Sequence, residues 1–184
     1  MKIAMSKTRE QFPLSEKKII KKTIKVNLVL DIIVLVIWII AAVTIGFSGG
    51  ASVGVLSVVT IATLVFLIIF FSVTYLYQKW YWSVYFYDLT DDFIIIKKHP
   101  ITPTEITIPY ERVQDVYVDQ DLLDRFFGLY DVHLSSATVS SGIEAHIDGV
   151  EKQAADGLRK ALLETVQRRI SKNRNQNLNI NSAN

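Results

Sequence analysis

The chain has 184 residues, of which 50% are hydrophobic, and a formal net charge of +2. This length suits one modest domain plus a second region, and the positive mean hydropathy of +0.28 indicates that the second region lies in lipid. The absence of cysteine excludes disulfides, thiolate metal sites and a cysteine nucleophile.

Charge is distributed unevenly along the chain. Residues 1–25 carry eight Lys or Arg against Glu10 and Glu16, a net charge of +6. Residues 88–170 carry nine Lys or Arg against fifteen Asp or Glu, a net charge of −6. Only the first segment is therefore expected to attract anionic lipid headgroups.

The basic segment, residues 1–25, divides into two parts. Residues 1–14 are polar and predict a loose tail. The next residues place five lysines on one helical face, Lys17, Lys18, Lys21, Lys22 and Lys25. Such a helix either lies on anionic headgroups or mainly fixes topology through the positive-inside rule, and we favour the second interpretation. Both interpretations place the N-terminus in the cytoplasm.

An uncharged stretch follows, because no Asp, Glu, Lys or Arg occurs from Ile32 to Gln78. It has room for two helical spans of about 20 residues each. We predict a transmembrane hairpin over residues 26–80, with spans at about 28–47 and 53–77 and an outward turn at FSGGAS. The protein is then a multi-pass protein of the inner (cytoplasmic) membrane with both termini in the cytoplasm.

Asp31 lies inside the first predicted span. An intramembrane carboxylate indicates function by default. Asp31 is also close in sequence to Lys25 and Asn27, so the alternative is a carboxylate at headgroup depth that pairs with a lysine. We favour the interfacial interpretation, and the role of Asp31 stays open.

Aromatic residues accumulate after the second span, from Tyr75 to Tyr87. The first of them predict an aromatic belt at the membrane interface. A nucleic-acid stacking surface would need interleaved basic residues, and only Lys79 is present, so no nucleic-acid partner is predicted.

The remaining chain predicts six short strands and a helix. The strands cover residues 84–89, 93–98, 104–110, 113–120, 129–135 and 142–147. Apolar residues at helical spacing predict a helix from about Val150 to Ile170, with Asp148 as its N-cap. Such a helix is expected to pack on the open side of a small barrel. Residues 171–184 are polar and predict a disordered tail.

The segment ERVQDVYVDQDLLDRFFGLYDVHLSSAT, residues 111–138, is acidic and has a histidine, but the spacing of its acids breaks the pattern of a calcium loop. We predict a strand, a helical turn, a glycine stop at Gly128 and a second strand. Asp121 and Arg125 are spaced to form a surface pair. The apolar side that this helical turn should bury consists of Leu122, Leu123, Phe126 and Phe127.

This segment, read as IPYERVQDVYVDQDLLDRFFGLYDVHLSSA, resembles the signature of bacterial pleckstrin-homology-like (YdbS-like) membrane proteins. The resemblance rests on Arg112, Val113 and Gln114 at the start of a strand, on Gln120 with the run from Leu122 to Leu129, and on the two preceding spans. It implies an α+β fold in which a two-helix transmembrane hairpin precedes a PH-like domain. This domain, residues 82–170, is expected to be a split antiparallel β-barrel of about seven strands capped by a C-terminal helix.

No catalytic, cofactor-binding or metal-binding residue is predicted. The histidines His99, His133 and His146 are dispersed. Asp131 shares a strand face with His133, and Glu144 shares one with His146, but two ligands do not make a zinc site. Eukaryotic pleckstrin-homology domains bind phosphoinositides at the loop between the first two strands, which here carries Asp91 and Asp92 and would repel a phosphate.

These observations predict a non-enzymatic integral membrane protein that presents a cytoplasmic PH-like domain as an interaction or scaffolding module of the cell envelope. Anionic lipids at the basic segment and a protein partner or second copy are its predicted partners. The alternatives are a subunit of a membrane transport or envelope-stress complex in which Asp31 works within the bilayer, or an anionic-lipid sensor.

Overall fold

The computed structural model describes residues 6–47, 53–136 and 145–182. Its helices are α1 (Lys7–Gln11), α2 (Lys17–Phe47), α3 (Val53–Val84), α4 (Leu122–Phe127) and α5 (Lys152–Ser182), and its strands are β1 (Phe86–Leu89), β2 (Phe93–Lys98), β3 (Thr104–Pro109), β4 (Val113–Asp119), β5 (Leu129–Ser136) and β6 (Ala145–Glu151). The chain forms two compact units: Met1–Lys18 with Tyr81–Asn184, and Ile19–Trp80.

The second unit is a pair of helices made by α2 and α3, and each is long and apolar enough to cross a membrane. Hydrogen bonds between side chains join them: Asn27 Nδ2 donates to Thr74 Oγ1 at 2.7 Å, and Trp38 Nε1 donates to Thr60 Oγ1 at 3.2 Å. Both predicted spans are helical. However, α2 begins at Lys17 rather than near residue 28, and α3 ends at Val84 rather than near residue 77. Most of the predicted turn, residues 48–52, lies outside the described residues.

The first unit contains two antiparallel sheets, in the strand orders β1-β2-β3 and β4-β5-β6. The predicted α+β class is confirmed, and each described strand matches one of the six predicted segments. The two sheets do not close into a barrel. The described part of the chain holds six strands, and residues 137–144, which include the start of the predicted sixth strand, lie outside it.

The core lies between these sheets and α5. Alternate strand residues point inward, such as Val132 and Leu134 of β5, as the period of two predicts. The residues of α5 that enter the core recur at helical spacing: Ala155, Leu158, Leu162 and Val166. The apolar side of α5 thus packs on the apolar residues that the strands turn inward.

Both predicted ends of the C-terminal helix are wrong. Asp148 lies inside β6 instead of capping the helix, which begins at Lys152. The helix also continues past Ile170 to Ser182, where the sequence predicted a disordered tail. Extension of an existing helix adds one hydrogen bond for each residue fixed, so polar residues can continue a helix that they would not start.

The prediction of a loose N-terminal tail is wrong for the residues that the structure describes. Ser6 caps α1, and the hydroxyls of Ser6 and Thr8 donate to Asp88 Oδ1 at 2.6 and 2.8 Å. Farther along, Leu14 forms a β-bridge with Val150 of β6. We call residues 6–18 the N-terminal strap. Because the basic segment and the acidic domain carry opposite charges, their attraction favours this docking.

The aromatic run after the second apolar stretch divides into two groups. Tyr75, Tyr77 and Trp80 are exposed on α3, as a belt at a membrane interface requires. Tyr85 and Tyr87 are completely buried in the core of the first unit. Aromatic residues therefore lie in two environments within a short stretch of chain, exposed on α3 and buried in the core of the first unit.

Candidate functional site

The helix α4 carries two of the most exposed large hydrophobic side chains in the described structure. Leu122 is 87% exposed and Phe126 is 82% exposed. They are four residues apart and therefore lie on one face of the helix. The prediction that the apolar residues of this helix would all be buried is wrong, since only Leu123 and Phe127 are partly covered. We call Leu122 and Phe126 the α4 pair.

Local hydrogen bonds hold α4 in place. Asp121 Oδ1 accepts from the amide of Asp124 at 2.6 Å, and Asp124 Oδ2 accepts from the amide of Asp121 at 3.2 Å, which completes a capping box. Gly128 ends the helix in the left-handed conformation at φ 68°, as predicted. Asp121, predicted as a surface partner of Arg125, thus serves as the N-cap. The α4 pair is exposed on a fixed element.

The strand that leads into α4 carries exposed acidic groups. Asp115 and Asp119 of β4 are exposed, and so is Tyr117 between them. Arg125 of α4 itself is exposed as well. The α4 pair therefore projects from a domain of net negative charge, −6 over residues 88–170.

The family model of the bacterial PH domain matches residues 26–174 of this chain. The chain belongs to the bacterial PH domain family. No curated protein and no solved structure matches it. The match covers both apolar helices and the two-sheet domain, so the resemblance drawn from the segment around α4 is confirmed.

The PH domain buries a group of charges that no local sequence pattern indicates. Lys18 Nζ lies 2.7 Å from Asp148 Oδ2 and donates to the Asp148 carbonyl at 2.8 Å. On the other carboxylate oxygen, Oδ1, His146 Nε2 lies at 2.8 Å and Lys98 Nζ at 3.9 Å. Lys18, Lys98 and Asp148 are each less than a tenth exposed. This group, which we call the Asp148 cluster, fastens the end of the N-terminal strap to β2 and β6.

Tyr85 lies against the same cluster. Its ring centroid is 4.3 Å from Lys18 Nζ and 5.8 Å from Lys98 Nζ, and its hydroxyl donates to the His146 carbonyl at 2.9 Å. Burial, and secondarily the Asp148 carboxylate, raises the pKa of the Tyr85 hydroxyl well above its ordinary value. Tyr85 therefore stays neutral and acts as a packing group for two cations.

The imidazoles that were considered as zinc ligands are arranged as a stack. The His133 ring lies between Tyr117 and His146, with centroid distances of 4.9 and 5.3 Å. His133 Nε2 is 3.1 Å from Asp119 Oδ1, while Asp131 Oδ1 accepts from the amide of Gly149 at 2.6 Å. Within residues 6–47, 53–136 and 145–182 no three His, Asp or Glu side chains are grouped to hold a metal, and Glu144 lies outside these ranges.

The third histidine, His99, is a turn residue and contacts a different aromatic ring. It follows β2 at φ 67°, and its ring meets Tyr81 edge-on at 5.4 Å. Its place at a strand end and its left-handed backbone are those of a turn residue.

The acidic loop between β1 and β2 is tied to α5. Arg169 Nε donates to the Asp91 carbonyl at 2.8 Å, and its guanidinium pairs with the Asp92 carboxylate. The loop that binds phosphoinositides in eukaryotic PH domains thus holds an internal ion pair in this chain. Sequence spacing alone gave no indication of this contact, because it joins residues far apart in the chain.

Proposed function

We propose that the protein is a non-enzymatic integral membrane protein whose PH domain docks a protein partner at the inner face of the cytoplasmic membrane. The observation that carries this proposal is the exposure of the α4 pair on a helix with fixed ends. Single exposed apolar residues are ordinary on protein surfaces. Two large ones on one face of a capped helix form a projection that suits the apolar pocket of a partner.

A protein is favoured over a lipid surface as the occupant of this site. Insertion of the α4 pair into a bilayer would bring a domain with a net charge of −6 over residues 88–170 toward anionic headgroups, which repel it. A protein pocket with a basic rim would instead attract this negative charge. The charge of the domain therefore favours a protein partner.

The membrane location and topology belong to the same proposal. The lysines that precede the first apolar stretch and Lys79 after the second support a hairpin with both termini in the cytoplasm, under the positive-inside rule. The apolar helices themselves support membrane association.

Attraction of the basic segment to anionic lipid stays a prediction, and the structure reduces the charge available for it. Lys18 and Lys21 are buried, and Lys17 pairs with Glu151 at 2.9 Å. Lys25 is exposed and Lys22 is partly exposed. We therefore expect fewer than the five predicted lysines to face headgroups.

The test of the docking proposal is site-specific crosslinking in native membranes. With a photoreactive phenylalanine analogue in place of Phe126, we expect a discrete protein adduct. In the same assay the substitution Leu122→Ser should reduce that adduct by at least about ten-fold, because removal of a buried anchor at an interface costs about 2 kcal/mol or more. The melting temperature of the Leu122→Ser variant should change little, since the Leu122 side chain is exposed before binding.

The matched control is Ile101→Ser, which removes a similarly exposed aliphatic side chain, 68% exposed, from the loop after β2. It should leave the adduct unchanged. An adduct made only with lipid, or one that both serine variants reduce equally, would overturn the proposal.

A further inference from the structure

The helix pair of α2 and α3 has an open groove that passes Asp31. Two adjoining cavities of about 400 and 290 Å³ share Asp31, Leu64 and Leu67 in their walls. Along α3 the groove runs from Thr60 to Ser72. At about 1.5 Å per residue this is a length of about 18 Å.

Asp31 is the one charged residue of this groove. It lies between the hydrogen bond from Asn27 to Thr74 and the one from Trp38 to Thr60, which both join the helices. Its side chain is exposed, and among the described residues no hydrogen bond or ion pair reaches it. The predicted pairing of Asp31 with a lysine is therefore not seen. Six residues separate Asp31 from Lys25, or about 9 Å along the helix, and Asp31 lies within the predicted span that begins at about residue 28.

We propose that this groove docks a membrane-spanning helix of another protein, with a Lys or Arg of that helix paired to Asp31. The groove is about 18 Å long and open along its side, as a docked helix requires. Half-buried Thr60 and Thr63 in its wall let a neighbouring backbone approach closely. A carboxylate within an apolar span is costly without a partner, and partners of the opposite charge are the usual solution.

A second copy of this chain fits the groove less well. From Ile32 to Gln78 the chain has no Lys, Arg or His, so a second copy has no cation in its own apolar stretches to offer. Symmetric pairing would also bring two Asp31 carboxylates together, and like charges repel. The cation must come from a different chain. The inference rests on the proposed membrane insertion, but not on docking at α4.

The test uses the full-length protein in phosphatidylcholine vesicles and a synthetic transmembrane peptide of about 21 leucine and alanine residues. One version of the peptide, the Arg peptide, carries a single Arg six residues from one end. A second version, the Gln peptide, carries Gln at that position. The chain lacks cysteine, so Ser57→Cys gives one site on α3 for a donor dye, and the peptide carries the acceptor. Resistance of the protein to alkaline extraction first verifies insertion, independently of any binding.

We expect the Arg peptide to bind about ten-fold more tightly than the Gln peptide, and Asp31→Asn to abolish that preference. The matched control moves the carboxylate to another side of α2 at nearly the same depth, with Asp31→Val and Val29→Asp together. It should show no preference for Arg either.

Three results would overturn the proposal: equal binding of the two peptides, a preference for Arg that survives Asp31→Asn, or, in a peptide-free mixture of donor-labelled and acceptor-labelled copies of the chain, energy transfer that depends on Asp31. No cytoplasmic partner is present in this assay. Failure here would therefore leave docking at α4 untouched, and failure of docking at α4 would not alter the peptide result.

Discussion

Substitution of Asp148 by alanine is expected to destabilise the PH domain by about 3–5 kcal/mol, because loss of one partner leaves buried charges uncompensated. Lys18 lies 2.7 Å from one carboxylate oxygen, and Lys98 lies 3.9 Å from the other. Both lysines are buried in the folded protein. The measurement is denaturant unfolding of the full-length protein in detergent, followed by near-ultraviolet circular dichroism.

The control for this prediction is Glu151→Ala. Glu151 pairs with Lys17 at 2.9 Å on the surface, where solvent screens both charges. Its loss should change the free energy of unfolding far less than the loss of Asp148. Equal effects of the two substitutions would show that the Asp148 cluster is not a buried charge network in solution.

Substitution of Gly149 by alanine is expected to release the N-terminal strap from β6. Gly149 has φ 75°, a conformation that costs other residues about 1–3 kcal/mol. A Cβ at this position would also lie 2.5 Å from Lys18 Cδ and 2.8 Å from Lys18 Cβ. Lys18 must therefore move, and the Asp148 cluster loses its closest ion pair. Limited proteolysis within residues 6–18, with unfolding measured in parallel, detects the release.

Gly128→Ala is the matched control for Gly149→Ala. Gly128 has a similar φ of 68°, but an added Cβ would meet nothing within 4 Å. Gly128→Ala should therefore lower stability only through the strained left-handed backbone, and it should leave the strap protected from protease. If both variants are cleaved alike, the contact with Lys18 does not hold the strap.

The general plan of this protein follows from its sequence. The uncharged stretch and the alternation of apolar residues predict two long helices and six strands, because burial requires those periods. The glycine stop after α4 is predictable too, since Gly128 adopts a left-handed conformation that other residues avoid. These features depend on neighbouring residues in the chain.

The contacts that close the domain were not predicted, because they join residues far apart in sequence. The docking of the strap depends on Asp88, Asp148 and Gly149, and none of these has a local pattern that indicates it. One signal was present. Lys98 continues the alternation of Ile94 and Ile96, both of which are buried, so the period of two could have indicated an inward lysine that needs a carboxylate, although no such prediction was made.

The candidate docking site was missed for a different reason. The spacing of Leu122 and Phe126 indicates an apolar face, and an apolar face on a short helix is normally assigned to the core. Only the structure shows that the core is filled by other residues and that this face points to solvent. Exposure of a surface pair is a property of the whole packing and not of local sequence.

Hydrogen exchange over residues 6–18 of the full-length protein tests most directly whether the strap is part of the PH domain. The amide of Ser15 donates to the Gly149 carbonyl at 2.9 Å, and the amide of Phe12 donates to the Thr8 carbonyl at 2.8 Å. We expect both amides to exchange at least about 100-fold more slowly than in an unstructured peptide, and Gly149→Ala to remove the protection of Ser15. Exchange of the wild-type strap at the rate of an unstructured peptide would contradict this account.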